Sequence, residues 1–173
     1  MSGTRPALTA DCGACAALCC LALAFDRGED FAFDKPAGTP CPNLSGHACS
    51  IHDRLDAAGF PGCVRYDCQG AGQRVLAEVT QDRSWRDDPA LRGPMMTAFA
   101  DMRAVQARLE LLTAAAALPL SPQDEAERDR LDRALWPASL DETTLRDFAA
   151  GPLAARIDGF VAGLRRYVTR PSP

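Results

Sequence analysis

The sequence predicts a mainly α protein in two parts. Residues 1–80 form a small, irregular, cysteine-rich metal-binding module, a helix plus loops of proline and glycine, packed on or followed by a bundle-like helical half in residues 81–173. Three observations lead there. All eight cysteines lie between Cys12 and Cys68. Pro36, Gly38, Pro40 and Pro42 break the middle of that segment into loop. Beyond residue 80 the chain has neither cysteine nor histidine, and its apolar residues recur at steps of three and four, the spacing of helix faces.

The first element is expected from Asp11, a good N-cap, to about Phe25, as one cysteine-bearing helix. Phe31 to Phe33 reads as a short extended stretch leading into a rigid loop over residues 34–43. Ser50, with Asp53 three residues on, predicts the N-cap of a short helix that Gly59 stops, and Pro61-Gly62-Cys63 predicts a turn. Residues 69–80 are weakly helical. Met95, Phe99, Met102, Val105, Leu109, Leu112 and Ala116 then mark one stripe on a helix from about Pro94 to Leu118. Ser121 with Pro122 opens a charged helix to about Leu135. Asp141 opens another, interrupted at Gly151-Pro152 before Leu153, Ile157, Phe160, Val161, Leu164 and Val168 resume a stripe. The tail Pro171-Ser172-Pro173 is expected to fray.

Composition narrows the function. A chain of 173 residues can bury a core without covalent staples, so stability alone does not explain the cysteines. The net charge is -4, Lys35 is the only lysine, and no basic run tracks a phosphate backbone, so no nucleic-acid partner is expected. The apolar stretch from Gly13 to Phe25 is too short to span a bilayer. It follows Asp11 and lacks a small-residue cleavage site, so a cytoplasmic protein without a membrane partner is expected. In a reducing compartment clustered thiols bind metal or do redox chemistry more often than they form disulfides.

On a continuous helix Cys12, Cys15 and Cys19 stand at i, i+3 and i+7, within about 60° of one face, so three soft ligands would converge. Cys20 lies about 100° further round, and serves a second metal or packs as a small hydrophobe. Cys41, between Pro40 and Pro42, suits a fourth ligand from a stiffened loop. Cys49, Cys63 and Cys68 occupy turns that have little core to fill, which also favours ligation. His52 follows Cys49 by three residues and His47 is nearby; for both, a surface or hydrogen-bonded role is the commoner one. The candidate metal ligands are therefore Cys12, Cys15, Cys19, Cys20, Cys41, Cys49, Cys63 and Cys68. All-sulfur sites suit zinc or an iron-sulfur cluster. Eight thiols allow two four-cysteine sites, one site with spare thiols, or a shared cluster.

At these residues the chain resembles the bacterial family described as a putative zinc- or iron-chelating domain, named for a CxxCxxCC signature. Cys12, Cys15, Cys19 and Cys20 correspond to that signature; DKPAGTPCPNL from Asp34 to Leu44 resembles its second block, with Cys41; CSIH brings Cys49 and His52, and GCVRYDC brings Cys63 and Cys68. The likeness covers about residues 10–75, and is more specific to the variant at the N-terminus of proteins labelled as pentapeptide-repeat proteins. In two respects the chain departs from it. Its signature is CxxCxxxCC, one residue longer between Cys15 and Cys19, and no pentapeptide array follows residue 75. A related cysteine cluster occurs in flagellin lysine methylases, where it resembles an iron-sulfur site. What the resemblance implies is a metal site of unassigned purpose.

The leading expectation is a metal-binding protein, with zinc or an iron-sulfur cluster organising the N-terminal half and the C-terminal helices serving as scaffold or as a surface for a protein partner. Two alternatives stand beside it: a cluster-dependent redox or methyltransferase-like enzyme, and a metal delivery or sensing protein. Against catalysis, no glycine-rich nucleotide loop and no Ser/His/Asp set can be read from the sequence.

Overall fold

In a computed structural model, which describes residues 3–168, the chain is mainly α-helical. The tail at Pro171, Ser172 and Pro173 lies outside the described residues.

One long helix organises the molecule. Helix α4 (Arg92–Ala115) starts two residues before the expected Pro94, because proline is tolerated in a first helical turn. Its end is tightened by i to i+3 bonds from Ala116, Ala117 and Leu118, which satisfy carbonyls that a regular helix would leave open. The stripe Met95, Phe99, Met102, Val105, Leu109 and Leu112 is fully or almost fully buried. Each such side chain contributes about 1.5–3 kcal/mol by leaving water. The last expected stripe residue, Ala116, is exposed and Ala115 is buried in its place, since the helix has already ended.

Around α4 pack α5 (Pro122–Ala134), α6 (Glu142–Ala150) and α7 (Pro152–Gly163). Their starts are set by the residues the sequence indicates: the Ser121 hydroxyl accepts the Asp124 amide at 3.2 Å, and the Asp141 carboxylate accepts the Thr144 amide at 2.8 Å. Gly151-Pro152 separates α6 from α7, as expected.

Two short helices of the cysteine-rich part, α1 (Leu18–Ala22) and α3 (Ala71–Arg74, running on into a wide turn over Val75–Val79), pack against α4 as well. Leu18, Leu21, Ala71 and Val75 therefore belong to the same core as Phe99 and Leu109, and the core runs unbroken past residue 80. Polar bonds reinforce the seam. Gln106, fully buried on α4, donates to the carbonyls of Gln69 (2.5 Å) and Ala7 (3.3 Å) and accepts from Arg74 (2.9 Å). The Trp85 indole donates to the Ala16 carbonyl at 2.7 Å.

The rest of the cysteine-rich part is irregular. A two-stranded antiparallel hairpin joins β1 (Leu44–Ser45) to β2 (Ala48–Cys49), with Leu44 opposite Cys49. A further helix, α2, runs over Pro61–Arg65 where a turn was expected, with proline in its first turn. The helix expected to start at Ser50 is only a single 3-10 turn, His52–Arg54. Ser50 does not cap it, because its hydroxyl donates to the Asn43 carbonyl instead. Gly59, with φ +84°, ends this segment as expected.

No helix among the described residues is long and apolar enough to cross a membrane.

Candidate metal centre

The expected helix from Asp11 to Phe25 is broken. The Asp11 carboxylate does cap, accepting the amides of Gly13 and Ala14, but what it caps is a 3-10 turn over Cys12–Ala14. Cys15 is extended, and Ala17 takes the left-handed conformation (φ 54°, ψ 40°) before α1 begins. A left-handed alanine costs about 1–2 kcal/mol. Ala16 and Leu18 on either side of it are buried in the core, which holds the bend in place. The single ligand face of Cys12, Cys15 and Cys19 is thus corrected: the three thiols come from a turn, an extended residue and a separate helix.

They nevertheless meet. All eight cysteines and both histidines line one cavity of about 380 Å³, open on one side, with Phe25, Phe31 and Phe60 in its apolar wall. All eight are free thiols, Cys12 exposed and the others half-buried. Among the described residues no three His, Cys, Asp or Glu side chains converge tightly enough to hold a single ion; the thiols ring the cavity rather than a point.

Specific local bonds put each sulfur on that wall. Helix α1 ends with open carbonyls, and the proline loop closes them: Cys41 donates its amide to Cys20 (3.0 Å), Gly38 donates to Leu21 (2.9 Å), and the Lys35 ammonium donates to Leu21 (3.3 Å). Cys41 is thereby fixed beside Cys20. The Leu44 amide donates to the Cys41 carbonyl, and the hairpin register then brings Cys49 into place. Cys63 rides on α2, and the Cys68 carbonyl accepts the amide of Ala71, which opens α3. Cys15 lies against α3 at Gly72. A Cβ on Gly72 would stand 2.3 Å from the Cys15 sulfur, so only glycine admits the thiol.

Cys19 and Cys20 face each other with sulfurs 4.0 Å apart. The hydrogen bond shared by this pair lowers the Cys19 thiol to about 7 and raises that of Cys20. Burial pushes Cys15 and Cys63 up to about 11, and also raises Cys12 and Cys41. Near neutrality most of these groups are therefore thiols, which lose their protons only to a metal or a strong base.

Sequence reasoning missed three neighbours of the site. Lys35 is 3% exposed, and its ammonium donates to the carbonyls of Leu21, Pro36 and Thr39 (3.3, 3.3 and 2.8 Å) and stands 5.5 Å from the Phe25 ring centre. Burial lowers its pKa, which the neighbouring Cys41, Cys20 and Cys19 oppose. Among the described residues it has no carboxylate partner. A lone lysine in an arginine-rich chain was the available signal. The Tyr66 hydroxyl is buried without a hydrogen-bond partner, and Arg103 of α4 lies over its ring at 5.3 Å; both line the cavity. Neither histidine reaches further in: His47 and His52 are exposed, and His47 Nε2 bonds the Ser84 hydroxyl at 2.8 Å.

Comparison with known proteins relates the chain to the uncharacterized protein YybG of Bacillus subtilis (strain 168), 40% identical over 121 residues. The match takes in 69% of this chain and 43% of that protein, so the chain spans less than half the length of the relative. No family model matches the chain, and no solved structure matches it.

Proposed function

We propose that the protein binds metal through an all-thiolate centre, zinc or iron-sulfur, in its N-terminal half, with α4 to α7 as the scaffold that carries it. One observation carries this reading: eight cysteines, drawn from seven different local structures over 57 residues of sequence, line one cavity as free thiols. Packing alone gives no reason for that arrangement, because loop cysteines fill little core. The donor set fits the metal. Thiolates are the ligands of structural zinc and of iron-sulfur clusters, and a buried ammonium without a carboxylate partner is what an anionic thiolate centre compensates.

Cys12, Cys15, Cys19, Cys20, Cys41, Cys49, Cys63 and Cys68 are the ligands proposed. Bound zinc would cross-link the loops; a bound cluster would add one-electron chemistry. The chain's own residues supply the rest: Lys35 offsets thiolate charge, the phenylalanine wall keeps water from one side, and the Tyr66 hydroxyl offers a hydrogen bond to sulfur. Reduced thiols in these numbers accord with a cytoplasmic location. The likeness to the zinc- or iron-chelating domain family is part of the same proposal.

The test is elemental analysis and absorption of protein purified without oxygen. Iron with acid-labile sulfide and a broad band near about 400 nm identifies a cluster, and stoichiometric zinc in colourless protein identifies zinc. Protein free of zinc, iron and copper would remove the reading.

A further inference from the structure

The cavity is lined by more than thiols. Part of its wall is aromatic, with Phe25, Phe31 and Phe60 on it. Together with Phe33 these rings form a cluster that stands apart from the core around α4. Phe25 and Phe31 stack with centroids 4.4 Å apart and planes 15° from parallel, and Phe60 meets Phe33 edge-on at 5.1 Å. The chain at Gly62 fixes this wall: a Cβ there would stand 2.4 Å from the Phe31 ring, so the ring lies directly on the backbone at the start of α2. Even so, Phe25 and Phe31 remain half-buried. Sulfur ligation does not call for a preformed face of stacked rings; a carbon-rich guest does.

Two polar groups on the same cavity have donors to spare. The Tyr66 hydroxyl is buried without a hydrogen-bond partner, an arrangement that a ligand oxygen would relieve. Arg103, exposed on α4, also lines the cavity, with its guanidinium 5.3 Å from the Tyr66 ring centre. Among the described residues it forms no ion pair with a carboxylate. A guanidinium fork and a neighbouring hydroxyl match the two oxygens of a carboxylate. A cavity of about 380 Å³ with an apolar wall, one open side and a few polar groups has the anatomy of a small-molecule site.

Going beyond the metal reading, we infer that the cavity also takes a small organic acid, with its carboxylate on Arg103 and Tyr66 and its apolar body against Phe25 and Phe31. The Tyr66 hydroxyl turns to sulfur when no acid is bound and to the carboxylate when one is. Binding is non-covalent, and no proton or electron changes hands. The acid shares the cavity with the thiols, but its site does not depend on which of them hold metal.

The experiment is an NMR titration of full-length, anaerobically purified protein with phenylacetate, with phenylacetamide and acetate as controls and the metal content measured on the same sample. Phenylacetate is expected to bind saturably, and phenylacetamide, without the charge, and acetate, without the ring, to bind at least about tenfold more weakly. Arg103→Met is expected to abolish the preference for acid over amide, and Phe31→Leu to weaken phenylacetate while leaving acetate unchanged. Absence of saturable phenylacetate binding overturns the inference, as does equal affinity for acid and amide in the wild type. An unchanged preference in Arg103→Met with wild-type circular dichroism also overturns it. Metal without phenylacetate binding removes this inference and leaves the metal centre standing; binding by protein free of metal does the reverse. The three wild-type titrations decide even if a variant does not fold.

Discussion

Gly72→Ala adds one methyl group where the structure has least room for it. Its Cβ would lie 2.3 Å from the Cys15 sulfur and 3.9 Å from a ring carbon of Phe99, so Phe99 can stay and the thiol must move by more than an ångström. Two effects oppose each other in the fold. Alanine in place of glycine favours a helix by about 1 kcal/mol, and overpacking costs about 1–3 kcal/mol. In metal-stripped protein Cys15 escapes the clash by rotating about a single bond, so the net change in unfolding free energy is small, within about 1 kcal/mol either way. Metal binding has no such escape. If the whole 1–3 kcal/mol falls on the bound state, where Cys15 must point inward, affinity drops about 5- to 150-fold. A competition titration against a chromophoric chelator reads the affinity, and a thermal melt of stripped protein reads the fold. Wild-type affinity in Gly72→Ala would refute the placement of Cys15 as a ligand held over α3.

Lys35→Met is expected to weaken the metal-loaded protein more than the stripped one, since it removes a cation from beside thiolates and leaves carbonyls of Leu21, Pro36 and Thr39 short of a donor, a cost of about 1–3 kcal/mol; chemical denaturation of both forms checks this, and equal losses would count against the charge role. Stripped protein is expected to lose stability as pH rises from about 9 to about 11: burial raises Cys15 and Cys63 above their ordinary value of 9.0, so their contribution is complete below that value and disappears as pH climbs through the folded one. Denaturation midpoints across that range test it, a flat profile being the contrary result. At the other end of the molecule the Asp124 carboxyl is held down at about 2, first by the Tyr167 hydroxyl and then by Arg166. Its contribution is complete above about pH 3.8 and lost as pH falls toward 2, and the carboxyl carbon shift of Asp124 followed by NMR should titrate correspondingly low.

The helical half was the most legible part of the sequence. Ser121 and Asp141 cap where side-chain chemistry requires a cap, the Gly151-Pro152 break is local, and the α4 stripe repeats over six buried residues. The cysteine-rich half was legible as a set of residues and not as geometry. Periodicity from Asp11 to Phe25 reads as helix because Cys12, Cys15 and Cys19 share its spacing, but a residue such as Ala17 carries no mark of a left-handed bend that only the surrounding core imposes. Pro61-Gly62 reads as a turn from its two residues alone, and becomes a helix start once Phe60 is buried and Gly62 is bonded to Asp30. Lys35 and Gly72 gain their meaning from partners 14 and more residues away, which no local pattern contains.

Because one core crosses residue 80, loss of metal should be felt along α4 unevenly. The N-terminal part of that helix faces the cysteine-rich module: Met96 touches Gly38, and Phe99 approaches Gly72. Its C-terminal part is held by the other helices and the N-terminal arm: Arg108 binds Asp158 (2.8 Å) and the Ala149 carbonyl (2.9 Å), and the Thr113 hydroxyl accepts from Arg5, which also pairs with Asp132. Metal that organises residues 10–75 therefore supports α4 as far as Gln106, which bonds Gln69 and Arg74, and leaves the last turns to the other helices and the N-terminal arm. Chelation followed by hydrogen exchange is expected to raise amide exchange from Met95 to Met102 along with the cysteine loops, and to leave Leu109 to Ala115 near its starting rate. Uniform loss of protection along the whole helix would mean that the two halves fold as a single cooperative unit. Unchanged protection throughout would mean that the thiols contribute nothing to the stability of the segment that carries them.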